Sequence, residues 1–205
     1  MRTTINEDTS DRHARKYSNK NPIHQFVLKR FFKTLAFLLS RERRFRTLDF
    51  GCGEGFLLRA LLDKGVELGE ITGIDLREDA IQEAKKRVPE ASFEKVDLFE
   101  WQVREKSYDC VIASQVLEHL YEPERCLLRL AELTSKRLVL SVPWEPWFQL
   151  SNLLRGRDVL KFGNHPEHVN RWTKRGFIGF VEKHIEVKEV LTSFPFIIIS
   201  GSVGN

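Results

Sequence analysis

Apolar side chains recur at helical spacing through residues 22–40 (Ile23, Phe26, Val27, Phe31, Leu35, Leu38), with Lys and Arg between them. Pro22 suits a first turn, so the spacing predicts an amphipathic helix there. Further along, short apolar runs predict strands over 47–50, 71–76 and 93–96. Helical periods lie between them, over 55–62 with a stop at Gly65 and over 78–88 with a stop at Pro89. The run YDCVIA at 108–113 is apolar almost throughout, as expected of a central parallel strand buried on both faces. A helix over 123–133 opening on Pro123 and a fifth strand over 138–142 follow. Strand and helix alternate every ~12–15 residues, which is the signature of βαβ units around a parallel sheet.

The rhythm breaks after Pro143. Residues 144–170 are rich in Trp, Arg, Gly, His and Asn and show no period. A helix over 173–184 and strands over 185–191 and 196–200 then close the chain. An irregular insertion of that length in a compact domain points to a lid or binding loop. At 205 residues the chain fits one domain. Its expected parts are an N-terminal cap segment and helix (1–45), a ligand-binding core (46–143), a substrate lid (144–170) and a closing helix with strands (171–205).

Composition narrows the class. With 41% apolar and 30% charged residues, the chain has the make-up of a soluble globular protein. Cys52, Cys110 and Cys126 show neither C-x-x-C nor Cys/His spacing, so a reducing, cytoplasmic setting without disulfides or zinc is expected. The polar start carries no apolar stretch of a signal peptide, and the apolar 26–39 run is broken by Lys29, Arg30 and Lys33 and is too short for a membrane span. Charge is uneven: residues 1–46 hold 12 Lys/Arg against 4 Asp/Glu, while the remainder holds 21 against 25. Such a basic front end suits nucleic acid, an anionic lipid surface or an acidic substrate, or else forms a solvated helix face.

The stretch LDFGCGEG at 48–55 sets the chemistry. Gly51 and Gly53 fit a dinucleotide fingerprint, but Phe56 stands where its last glycine belongs, and no G-K-[ST] of a P-loop follows. Glycines permit a tight turn and close backbone approach. Asp49 just before them attracts a cation and repels a pyrophosphate. S-adenosyl-L-methionine, with an ammonium, a sulfonium and no phosphate, meets both demands. Asp75 ends the second strand, where an acid chelates ribose hydroxyls in this topology, with Leu76 beside it. Asp97 and Leu98, after the third strand, offer a polar group and an apolar wall for adenine. Ser114, after the fourth, can line the methionine moiety, and Cys52 lies within the loop.

At these residues the chain resembles the class I S-adenosylmethionine-dependent methyltransferases, including those of quinone biosynthesis. LDFGCGEG looks like their motif I, TGIDLREDAIQEAKKR their motif II region, SYDCVIASQVLEHLYEP their motif IV region, and SVPWEP the segment after the fifth strand. The likeness spans about residues 45–145 and weakens beyond. It implies an α/β, Rossmann-like, seven-stranded and mostly parallel sheet with an antiparallel last strand and helices on both faces. It also implies that Tyr17, in KYSNKNP, closes over the methyl donor.

Methyl transfer demands alignment above all, and a base only where the acceptor must lose a proton. His119 is the candidate base, with Glu118 beside it; alternatively His119 packs structurally against the donor and Glu118 orients it. His165 and His168, in the lid, can bind substrate, act as base or cap the next helix. An E-x-x-E-H motif with a distant histidine holds a divalent ion in some quinone-biosynthesis O-methyltransferases and small-RNA 2′-O-methyltransferases. Gln115 stands here where its first glutamate belongs, so no metal ligands are assigned. Trp144, Trp147 and Phe148 either wall a flat or lipidic acceptor or pack the lid on the sheet. The expected function is methyl transfer to an oxygen of a small or lipid-like acceptor, with RNA as the competing acceptor and a non-catalytic binding protein as the remaining alternative.

Overall fold

The computed structural model describes residues 21–41, 46–145, 147 and 169–203. Helix α1 (Pro22–Leu39) is capped by Asn21, whose Oδ1 accepts the N–H groups of Ile23 and His24 at 2.9 and 3.4 Å. There follow β1 (Arg46–Phe50), α2 (Phe56–Leu62), β2 (Glu70–Asp75), α3 (Glu78–Arg87), β3 (Ser92–Lys95), β4 (Tyr108–Ser114), α4 (Pro123–Leu133), β5 (Thr134–Pro143), α5 (Lys174–Val181), β6 (Glu186–Ser193) and β7 (Phe196–Ser202).

The seven strands form one sheet in the order β3-β2-β1-β4-β5-β7-β6. Strands β1 to β5 run parallel, and β7 lies antiparallel between β5 and β6. This is the Rossmann-like arrangement expected from the sequence, down to the antiparallel last strand.

Two apolar layers explain the near-continuous hydrophobic strands. Cys110 and Ile112 of β4 face one layer with Leu35 and Leu39 of α1, Leu58 and Leu61 of α2, and Ile81 and Ala84 of α3. Val111 and Ala113 face the other, with Leu127 and Leu130 of α4 and Phe177 and Val181 of α5. Successive side chains of a strand alternate between faces, so a strand covered on both sides must be apolar at every position.

Two boundaries differ most from the periodicity. Strand β5 starts at Thr134, four residues before the expected start, because it leaves α4 with no intervening loop. The polar run there hides the strand: Thr134 Oγ1 donates to the Leu130 carbonyl at 2.6 Å, and Lys136 pairs with Asp109 of β4 at 3.0 Å. Helix α5 is shorter than expected. Thr173 is its N-cap, accepting the Gly176 N–H at 3.0 Å, and the chain turns out at His184 and Ile185, whose N–H groups both bond the Val181 carbonyl.

Candidate functional site

The strand order reverses between β1 and β4, and a doubly wound sheet binds its ligand at the carboxyl edge beside that reversal. Two loops meet there. The first, residues 51–55, leaves β1 and folds back on β2: the N–H groups of Gly51 and Cys52 both donate to the Ile74 carbonyl, at 2.8 and 3.0 Å. The second, residues 115–119, leaves β4 and contains a 3₁₀ turn, Leu117–His119.

The glycines have separate tasks. A Cβ on Gly51 would sit 2.5 Å from Val116 Cγ2, so this position holds the two loops in contact. Gly53 has φ +53 and a Cβ there would meet nothing within 4 Å, so it borders open space at the site. Gly55 is the N-cap residue of α2, in the left-handed region. The loop is braced from α3 by Arg87, which donates to the Glu54 carbonyl and lies 3.6 Å from the Phe56 ring centroid. Arg87 drew no notice in the sequence, where it reads as an ordinary helix-end base.

The acids expected at the strand ends stand in different environments. Asp75, half-buried, accepts the Gly53 N–H through Oδ2 and the Arg77 N–H through Oδ1, both at 2.9 Å. Its carboxylate is thus fixed across the mouth of the glycine loop, with Leu76 half-buried next to it. Asp49, only 1% exposed, has an Oδ2 with no hydrogen-bond partner. Burial first, and the charge of Asp75 second, push its carboxyl up to about 8. The Cys52 thiol is held far above its ordinary value by burial and by the same two acids, which makes it inert.

Past β3, Asp97 Oδ1 accepts the Phe99 N–H at 2.9 Å, and Leu98 is buried. The Val96 N–H donates to the Asp75 carbonyl at 3.1 Å, tying the ends of β2 and β3 together. Past β4, Ser114 shares a 2.9 Å hydrogen bond with Ser141 of β5. Gln115 has φ +61, a left-handed conformation that costs a non-glycine residue about 1–2 kcal/mol. Its N–H bonds the Ser141 carbonyl at 2.9 Å and its amide reaches Ser141 Oγ at 3.3 Å, which holds the turn in place.

Glu118 is buried and His119 is 28% exposed, with His119 Nε2 lying 4.0 Å from Glu118 Oε1. Their turn is clamped by a residue the sequence reading missed. Asn170 Nδ2 donates to the carbonyls of Leu117 and Leu120, at 3.1 and 2.5 Å, and the N–H groups of Val169 and Asn170 both donate to the Glu118 carbonyl. An asparagine in a stretch without period gave no sign of this role. Trp144, Trp147 and Phe194 form a loose aromatic group, with ring centroids 6.3 to 6.5 Å apart, at the same edge of the sheet. Tyr17, Phe148, His165 and His168 lie outside the described residues.

The sheet, the glycine loop and the acids at consecutive strand ends define a class I S-adenosylmethionine-dependent methyltransferase. The chain belongs to the methyltransferase domain family, whose profile matches residues 42–172. It is 32% identical over 120 residues to the trans-aconitate 2-methyltransferase of Escherichia coli O6:K15:H31, covering 58% of this chain and 46% of that protein. It is 26% identical over 167 residues to the small RNA 2′-O-methyltransferase of Arabidopsis thaliana, covering 70% of this chain and 18% of that one. The chain thus spans less than half of either relative. In fold it is similar to the magnesium protoporphyrin IX methyltransferase of Synechocystis PCC 6803 with bound SAH, at a TM-score of 0.73 and 19% identity over 97% of this chain and 96% of that one.

Proposed function

We propose that this chain binds S-adenosylmethionine at the β1–β4 reversal and transfers its methyl group to an oxygen of a small or lipid-like acceptor. The observation that carries the donor site is Asp49, a buried carboxyl with an unpartnered oxygen at the carboxyl end of β1. Buried polar atoms are almost always bonded, so an unpartnered buried oxygen calls for an explanation, and a ligand at the adjoining glycine loop supplies one. A cationic ligand reverses the balance that holds Asp49 protonated, drawing its proton off. Asp75 offers its outward lone pairs to ribose hydroxyls, while Asp97 and Leu98 flank the adenine. Gly53 leaves room for the donor, and Tyr17, in the preceding segment, is assigned to close over it.

When bound, S-adenosylmethionine supplies a methyl carbon activated by sulfonium. This chain then has two tasks, aligning the acceptor and, for a hydroxyl, taking its proton. His119, at the rim and beside buried Glu118, is assigned as the base, and His165 and His168 as acceptor contacts from the lid. Trp144 and Trp147 provide an apolar wall at the same edge. A small acceptor agrees with the likeness to a trans-aconitate methyltransferase.

A second reading, RNA 2′-O-methylation, is supported by the likeness to a small RNA 2′-O-methyltransferase and by the basic first 46 residues. The experiment has two stages. Calorimetry with S-adenosylhomocysteine (SAH) should show saturable binding, and its absence would end both readings. Labelled-methyl transfer is then measured with hydroxy and carboxylic small molecules and with RNA ending in a 2′-hydroxyl. Transfer to RNA alone would overturn the first reading in favour of the second.

A further inference from the structure

Helix α1 has two contrasting faces. The inner one is buried on the sheet through Leu28, Phe31, Leu35, Leu38 and Leu39. On the outer one, Ile23, Phe26 and Phe37 remain 63%, 60% and 56% exposed, and Lys29, Arg30 and Lys33 stand exposed among them. Positions 23, 26, 30, 33 and 37 follow three- and four-residue steps, so they form one stripe along the helix. The Arg30 guanidinium lies 5.8 Å from the Phe26 ring centroid, and Arg41, just past the helix, lies 4.3 Å from that of Phe37. Residues 22–46 contain seven Lys/Arg and a single acid, Glu42.

Large apolar side chains left together in water mark an interaction surface. Here the partner must present negative charge at its boundary and apolar matter beneath it. An RNA answers the cations but gives the aliphatic Ile23 nowhere to go, and an acidic protein would need an apolar groove shaped to this stripe and edged by carboxylates. A bilayer of anionic lipid answers both, since Lys and Arg reach headgroups while Ile and Phe enter the acyl boundary. We propose that the outer face of α1 docks this chain on an anionic lipid membrane, lying in the interface plane. Among the described residues no helix is long and apolar enough to cross a membrane, which fits a helix that lies on the surface.

The placement of α1 gives the docking a direction. Its C-terminal end meets the start of β5, where Arg137 donates to the Leu38 carbonyl at 3.3 Å. Nearer its middle, Phe31 packs on Phe196, at the carboxyl edge of β5, with ring centroids 4.7 Å apart. The N-terminal half therefore points to the edge that carries the glycine loop. Trp147 and Phe194, 43% and 45% exposed, lie at that edge too.

The test is co-sedimentation of the full chain with phosphatidylcholine vesicles, with and without phosphatidylserine. Binding should appear with phosphatidylserine and weaken as salt rises. Each of Lys29→Glu, Arg30→Glu and Lys33→Glu should lower the partition coefficient at least fivefold. The double variant Phe26→Asp/Phe37→Asp should abolish binding. Circular dichroism establishes that the variants fold, and SAH calorimetry reads the donor site separately. Failure of the wild type to sediment, or equal partition of wild type and double variant, would overturn the proposal. So would binding to an RNA oligomer at salt where phosphatidylserine vesicles capture nothing.

Discussion

The Asp75 carboxylate accepts the Gly53 N–H at 2.9 Å, joining the end of β2 to the middle of the glycine loop. The same carboxylate accepts the Arg77 N–H at 2.9 Å. One acid therefore shapes the loop, and these two bonds set its rotamer before any ligand arrives.

Asp75→Ala should weaken SAH binding by roughly 1.5–3 kcal/mol, the cost of losing hydrogen bonds to a charged group. Part of that loss is disorder of the loop, so Asp75→Asn, which keeps an acceptor for the Gly53 N–H, should recover some of the affinity. Calorimetry at fixed pH checks both. Wild-type affinity in the alanine variant would remove Asp75 from the donor site.

Gly51→Ala and Gly53→Ala should separate two kinds of damage. Both impose a methyl group at positive φ, a strain of about 1–2 kcal/mol. At Gly51 the methyl also collides with Val116, so this variant should lose thermal stability markedly. At Gly53 it enters open space, so that variant should lose only the few degrees that the φ strain costs, yet bind SAH far more weakly. Paired melting curves and titrations distinguish them. Full affinity in a folded Gly53→Ala protein would show that the ligand does not pass over this residue.

Asp49 gives a pH signature with a defined sign. Its carboxyl is raised from 3.8 to about 8, so between those values the folded state binds more protons than the unfolded state. The contribution of this group to stability therefore falls as pH rises through that window. Asp49→Asn removes the dependence, so at pH 8 the ligand-free variant should be more stable than wild type by at least about 1 kcal/mol, roughly 2–4 °C. Binding of a cationic ligand should also release a proton at neutral pH. Calorimetry in buffers of different ionisation enthalpy measures it, and an apparent enthalpy independent of buffer would refute the assignment.

The sheet was legible in the sequence because strands covered on both faces must be apolar at each position, as in β4, and because helices with one buried face keep a strict period. The glycine loop was legible because the tight turn at the end of β1 takes positive φ at Gly51 and Gly53, which glycine adopts without strain. What escaped was set by tertiary contact. Thr134 to Arg137 are polar yet lie in β5, because hydrogen bonds and an ion pair to neighbouring elements satisfy them. Arg87 supports the glycine loop from 33 residues beyond Glu54, through a contact that no periodicity encodes.

Asn170 makes the last case, and it can be tested in detail. Its amide bonds the Leu117 and Leu120 carbonyls on either side of Glu118 and His119. Asn170→Ala leaves two half-buried carbonyls without these donors, a loss of about 1–3 kcal/mol in stability. If the turn carries the acceptor base, its loosening should lower kcat far more than it weakens SAH binding, because most of the proposed donor contacts lie at the ends of β1, β2 and β3. Asn170→Asp, which keeps the shape but replaces a donor by an acceptor, should be no better than alanine. Asn170→Gln can still donate and should recover part of the rate. Single-turnover rates beside SAH titrations separate the two effects. A fall in SAH affinity equal to the fall in rate would mean that Asn170 supports the donor site as a whole, and not the turn that bears His119.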